Sequence, residues 1–193
     1  IGGKGNYHDP EAPVAFYTQE EIKEIAKYAA DRFITIIPEV DMPGHATAAN
    51  RAYPEFSGGG SARYPDFTFN PGKEGTYTYL TNILREITGL IHSPYLSTGG
   101  DEVSFGTEHW SVDPDVQKLM KKEHLKDLKE VEGYFNHRMA DSVKSLNRTL
   151  AGWDEMVDTK IDPVNSVVMW WRHDKTDQLL KALDNYYKVV LCP

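Results

Sequence analysis

The stretch Leu96-Ser97-Thr98-Gly99-Gly100-Asp101-Glu102-Val103 reads as a short strand that ends by delivering two adjacent carboxylates to an open site. Residues 95–98 are few, include a β-branched side chain and follow a helix-like run, as a strand of a parallel sheet should. The paired glycines weaken the strand and let backbone or ligand approach closely. Neighbouring side chains at a strand end point different ways, so Asp101 and Glu102 are expected to touch different atoms of one ligand. Their like charges should drive the two carboxyls apart in acidity, leaving one ionised and one protonated as a general acid. The competing reading is a polar loop whose Asp-Glu pair caps the next helix.

Working outward, the same alternation recurs on both sides. Upstream, Leu80, Ile83, Leu84, Ile87 and Ile91 fall at helical spacing, and Ile34-Thr35-Ile36-Ile37-Pro38-Glu39-Val40 is apolar on both faces, the pattern of a strand buried in a parallel sheet. Pro38 belongs near the end of that strand, since it cannot donate to a ladder. Before it, Thr18-Gln19-Glu20-Glu21 is a capping box opening a helix with Ile22, Ile25, Ala26, Ala29 and Phe33 on one face. Residues 1–17 read as loop, and so do residues 50–75, which hold Gly58-Gly59-Gly60; a loop this long is usually functional or mobile. Downstream, Asp113-Pro114 opens a short helix, and Val131, Phe135, Met139, Val143 and Leu146 mark a longer one. Residues 149–153 and 166–171 read as strands. Asp174 or Thr176 then caps a helix containing Leu179, Leu180 and Leu183, and residues 187–191 form a last strand.

Strands alternating with helices mean an α/β fold with a parallel sheet and helices packed outside. A doubly wound sheet and a closed barrel both fit. Polar and aromatic residues gather just after several successive strands, which favours a barrel, where such positions meet at the C-terminal face. Only about five strands are present, whereas a complete (β/α)8 TIM-barrel typically takes ~250 residues. The expectation is therefore a partial barrel over residues 1–193, one domain lacking the first and last barrel strands.

Composition narrows the partners. The chain has 193 residues with 40% hydrophobic and 26% charged, an ordinary globular balance, and its net charge of -8 argues against nucleic acid or an anionic membrane surface as the main partner. A single cysteine, Cys192, excludes an internal disulfide, and no apolar run approaches membrane-spanning length. Because the chain starts at Ile1 rather than Met, it reads as a piece of something longer.

Other positions carry chemistry with more than one reading. Glu39 and Asp41 are two apart and share a face if extended, with His45 after a Met-Pro-Gly turn. Such a set suits a metal in a barrel hydrolase or deacetylase, and equally a hydrogen-bonded support or a buried charge network. Trp153 ends one strand and Trp170-Trp171 end another; alternation turns only one of that pair inward. Indole faces beside carboxylates suit a sugar ring, whose C–H surface stacks while its hydroxyls are hydrogen-bonded, although core packing accounts for Trp as well. His8, His92, His109, His124, His137 and His173 show no pairing pattern. Gly2-Gly3-Lys4-Gly5 lacks the context of a phosphate loop, and residues 120–130 read as a solvated helix face.

Taken together, these strings resemble the β-N-acetylhexosaminidases of glycoside hydrolase family 20. The series runs in order from Tyr17-Thr18-Gln19-Glu20 through Pro38-Glu39-Val40-Asp41-Met42-Pro43-Gly44-His45, Tyr53-Pro54-Glu55 and Asn70-Pro71. It continues with Gly99-Gly100-Asp101-Glu102-Val103, Tyr134-Phe135-Asn136, Gly152-Trp153-Asp154-Glu155 and residues 168–172. The resemblance implies a (β/α)8 barrel that removes terminal β-linked N-acetylglucosamine or N-acetylgalactosamine with retention. Glu102 would be the general acid, the substrate's own 2-acetamido carbonyl the nucleophile, and Asp101 the group that holds the acetamido N–H. Adjacent carboxylates are poorly placed to flank a bond as acid and protein nucleophile, which agrees. Trp153 and Trp171 would wall the pocket, His45 would sit in the hydrogen-bond network near Glu102, and Asp41 would support it. No metal or other cofactor is implied. The expected partner is an N-acetylhexosamine-terminated glycan, and the expected location is extracytoplasmic (periplasmic, secreted or lysosomal).

The resemblance also marks departures. Ser97 stands where the family often has His, removing a hydrogen-bonding group behind the site. The Arg that binds the sugar hydroxyls would precede Ile1, and the Tyr that holds the acetamido carbonyl would follow Pro193, so the isolated chain is expected to lack a complete pocket and turnover. Exposed barrel edges further predict self-association. Two alternatives stay open: a metal-dependent barrel hydrolase or deacetylase using Glu39, Asp41 and His45, and a non-catalytic carbohydrate-binding barrel.

Overall fold

The computed structural model describes Glu11 and residues 16–192; most of the loop expected over residues 1–17 lies outside the described residues. Helix α1 (Gln19–Ala30) opens as its sequence dictates. The Thr18 hydroxyl accepts the Glu21 N–H, and the Glu21 carboxylate accepts the Thr18 N–H at 2.7 Å. There follow α2 (Thr47–Ala52), α3 (Glu74–Leu90), β1 (Tyr95–Ser97), α4 (Pro114–Glu123), α5 (Leu128–Ser145), β2 (Thr149–Trp153), β3 (Ser166–Trp170), α6 (Thr176–Asp184) and β4 (Lys188–Leu191). The four strands lie parallel in sequence order, β1-β2-β3-β4. A short 3-10 helix, Asp154–Thr159, follows β2.

The segment expected as a strand over residues 34–40 forms no regular strand among the described residues. It is extended and joins β1 through a parallel bridge between Glu39 and Ser97. Ser97 N–H donates to the Pro38 carbonyl at 2.9 Å, and Val40 N–H to the Ser97 carbonyl at 3.0 Å. Pro38 thus needs no N–H where it sits. Ile34 and Ile37 are exposed rather than buried on both faces, because this segment lies at the sheet edge. Phe33 is fully exposed and lies beyond the end of α1, so the helix face that packs is Ile22, Ala26 and Ala29. At the opposite edge neither Asp174 nor Thr176 caps α6, whose N-cap is Lys175, and Leu180 and Leu183 are exposed.

Paired residues of a parallel sheet share a face. Leu96 pairs with Leu150, and Gly152 pairs with Val168, which pairs with Val189. These side chains pack against Leu80, Leu84, Phe135, Met139 and Val143 of α3 and α5, so this face carries the helices. Glu39, Ser97, Ala151, Trp153 and Met169 therefore share the other face. The excursion over residues 53–73 is well packed: Phe67, Phe69 and Asn70 are buried, and the buried Asn50 amide donates to the Asp66 and Thr68 carbonyls, each at 2.8 Å.

Candidate active site

Beyond β1 the backbone turns sharply through Gly99 and Gly100, with φ of 63° and 96°. A Cβ on Gly99 would lie 2.1 Å from Asp41 Oδ1, so glycine is needed here for space as well as for its left-handed backbone. Glu102 itself adopts φ 53° and His45 φ 52°. Non-glycine residues in that region cost on the order of 1 kcal/mol and cluster where function over-determines the backbone.

The turn changes what the acid pair can do. Asp101 and Glu102 do not diverge as neighbours on a strand would, because both have left the ladder. Their carboxylates converge on one ring nitrogen: His45 Nε2 lies 3.5 Å from Asp101 Oδ2 and 3.4 Å from Glu102 Oε2. His45 is held edge-on against Phe67, with ring centroids 4.8 Å apart. Phe67 carries no polar chemistry, and nothing in the sequence pattern singled it out.

Asp41 stands behind Asp101. Its Oδ1 accepts the Gly100 N–H at 3.0 Å. Burial pushes the Asp41 carboxyl up to about 8, helped by repulsion from Asp101 and Glu39 and opposed by the Gly100 N–H. The raised value favours the protonated form of Asp41 beside Asp101, whose buried Oδ1 has no hydrogen-bond partner among the described residues. Glu39 is aimed elsewhere. Its Oε2 accepts the Ser97 hydroxyl at 2.6 Å, and Ser97 Oγ in turn accepts the Gly99 N–H at 3.2 Å. Ser97 thus supplies a hydrogen-bonding group behind the site, where its departure from the family pattern suggested a loss.

The metal alternative changes its members. Ligand atoms of Asp41, His45 and Asp101 all lie within 4.8 Å of one another, with Asp101 in place of the expected Glu39. Aromatic side chains arrive from the next strands. The Trp153 backbone N–H donates to the Gly99 carbonyl at 2.9 Å, which sets the end of β2 beside the turn before the acid pair. Trp170 turns to the helix side, its indole N–H donating to the Lys175 carbonyl at 3.1 Å. Trp171 lies just past β3, and its indole N–H donates to Glu155 Oε2 at 3.4 Å. Asp154, Glu155 and Arg172 were visible in the strings Gly152-Trp153-Asp154-Glu155 and residues 168–172, but nothing in the spacing joined them.

Elements and site together define a parallel α/β arc with an acid pair and indoles at the C-terminal ends of its strands, the arrangement of a barrel hydrolase. Residues 2–193 match the family described as glycosyl hydrolase family 20, catalytic domain, and the chain belongs to that family. Catalytic domains of this family are (β/α)8 barrels, and the sheet described above is part of such a barrel. The β-hexosaminidase of Vibrio furnissii is 35% identical over 186 residues, covering 92% of this chain and 30% of that protein. The β-hexosaminidase of Porphyromonas gingivalis is 33% identical, covering 92% of this chain and 23% of that protein. Among solved structures, a β-N-acetylhexosaminidase from Bacteroides fragilis has a TM-score of 0.80 at 36% identity, covering 98% of this chain and 38% of that one. An exo β-N-acetylglucosaminidase from Vibrio harveyi, solved with N-acetylglucosamine, has a TM-score of 0.81 at 34% identity, covering 92% of this chain and 28% of that one. The chain thus spans about a third or less of the length of these curated relatives.

Proposed function

We propose that these residues supply the acid–base pair and two aromatic walls of a retaining glycosidase that removes terminal β-linked N-acetylglucosamine or N-acetylgalactosamine. The observation that carries this reading is the convergence of Asp101 and Glu102 on His45 at 3.5 and 3.4 Å, beside the strand end that bears Trp153. Glu102 protonates the departing glycosidic oxygen. The substrate's 2-acetamido carbonyl attacks the anomeric carbon from the other side, giving an oxazolinium ion, and Asp101 accepts the acetamido N–H and steadies that positive charge. Glu102, now a carboxylate, takes a proton from the water that opens the ring. Protonated Asp41 orients Asp101, and Trp153 and Trp171 shelter the acetamido methyl and the sugar ring. The domain is a partial catalytic barrel, and its substrate is a glycan or oligosaccharide ending in N-acetylhexosamine. By analogy with its relatives it works outside the cytosol. Among the described residues no helix is long and apolar enough to cross a membrane.

A second reading is favoured by the Asp41, His45 and Asp101 cluster, which suits a cation in a metal-dependent hydrolase. One assay separates the two: nitrophenol release from an aryl N-acetyl-β-glucosaminide, run on the longest natural chain that carries these residues, with and without chelator. The glycosidase reading expects turnover that ignores the chelator and falls by roughly 10²–10⁴-fold in Glu102→Gln. Turnover abolished by the chelator overturns it in favour of the metal.

A further inference from the structure

We propose that Asp154, Arg172 and Glu155 are positioning residues that clamp the Trp171 indole against the sugar. The inference rests on the glycosidase reading and extends it to groups that touch no reacting atom.

Asp154 opens the short helix after β2 and is fully buried. Its Oδ2 accepts from Arg172 Nε at 2.8 Å and from a guanidinium NH2 at 2.6 Å. A carboxylate this deep persists only when paired, so the guanidinium is fixed in place. The free edge of Arg172 then reaches Glu155 Oε1 at 3.4 Å. The other oxygen of Glu155 accepts the Trp171 indole N–H, also at 3.4 Å. Burial raises the Glu155 carboxyl, and Arg172 opposes that rise. Arg172 follows Trp171 directly. One anchored residue therefore holds the backbone beside the indole and the acceptor at its far edge. A half-exposed Trp otherwise samples several rotamers, and a binding wall that must be ordered on each encounter loses affinity.

The test reads Trp171 itself. In the longest natural chain that carries these residues, indole nitrogens are labelled with ¹⁵N, the Trp171 N–H signal is assigned with Trp171→Phe, and N-acetylglucosamine is titrated in. Glu155→Ala should shift the sugar-free Trp171 signal and weaken the sugar about fivefold, the equivalent of one ordinary hydrogen bond. Glu155→Gln keeps an acceptor and should stay within about twofold of wild type. A purely structural role would lower the melting temperature and leave sugar affinity alone. Equal affinity with and without Glu155 overturns the clamp and leaves the glycosidase reading intact. A wild-type Trp171 signal that ignores the sugar overturns both.

Discussion

At the residue scale, Gly99 and Asp41 form one unit, because the glycine leaves the space that the carboxyl fills. Gly99→Ala should destabilise by about 1–3 kcal/mol through overcrowding and a left-handed backbone, seen as a lower denaturant midpoint. Asp41 sets a pH dependence. Its carboxyl rises from 3.8 to about 8 on folding, so the fold binds a proton that the unfolded chain releases at lower pH. The stabilisation is complete below the unfolded value and is lost as pH climbs through about 8. Melting temperature should therefore fall between ~pH 5 and ~pH 9, and Asp41→Asn should flatten that decline. That Glu102, Asp101, His45 and Asp41 come together was legible from the order of their strings. The contacts of Ser97 and Phe67 were not, because a serine's partner and an arene's contact depend on which segments the fold brings together.

At the element scale, local signals read well and neighbour-dependent ones did not. The capping box before α1, the Asp113 cap of α4 and the periodicity of α5 are written within a few residues, and each stands as expected. Burial of residues 34–40 and of Leu180 and Leu183 depends on what covers the sheet edges, which no periodicity records. Alternation chose between Trp170 and Trp171 only once the β2–β3 register was known. Helix α5 seals the sheet with Phe135, Met139 and Val143, each 0–1% exposed. Phe135→Ala should cost about 3–5 kcal/mol, read by chemical denaturation. Arg172→Ala, which strands the buried Asp154 charge, should cost a similar ~3–5 kcal/mol.

At the scale of the whole molecule, large apolar side chains are exposed at both ends of the sheet. Phe33 is 100% and Ile34 59% exposed at one end, and Tyr186 is 88% and Leu191 61% exposed at the other. Edges of this kind seek partners, so light scattering on this chain should show an average mass that rises with concentration. A mass independent of concentration would count against that expectation. The barrel class was readable because alternating elements and strand-end chemistry pointed the same way, and the observed parallel order β1-β2-β3-β4 agrees with it.

The most direct measurement uses the longest natural chain that carries these residues and compares hydrolysis of an aryl 2-acetamido-2-deoxy-β-glucoside with that of the matching aryl β-glucoside, in wild type and in Glu102→Gln. If the acetamido group is the nucleophile and Glu102 the acid, only the first substrate turns over, and the substitution removes that turnover. Comparable cleavage of both sugars, or an undiminished rate in Glu102→Gln, would contradict the proposed chemistry.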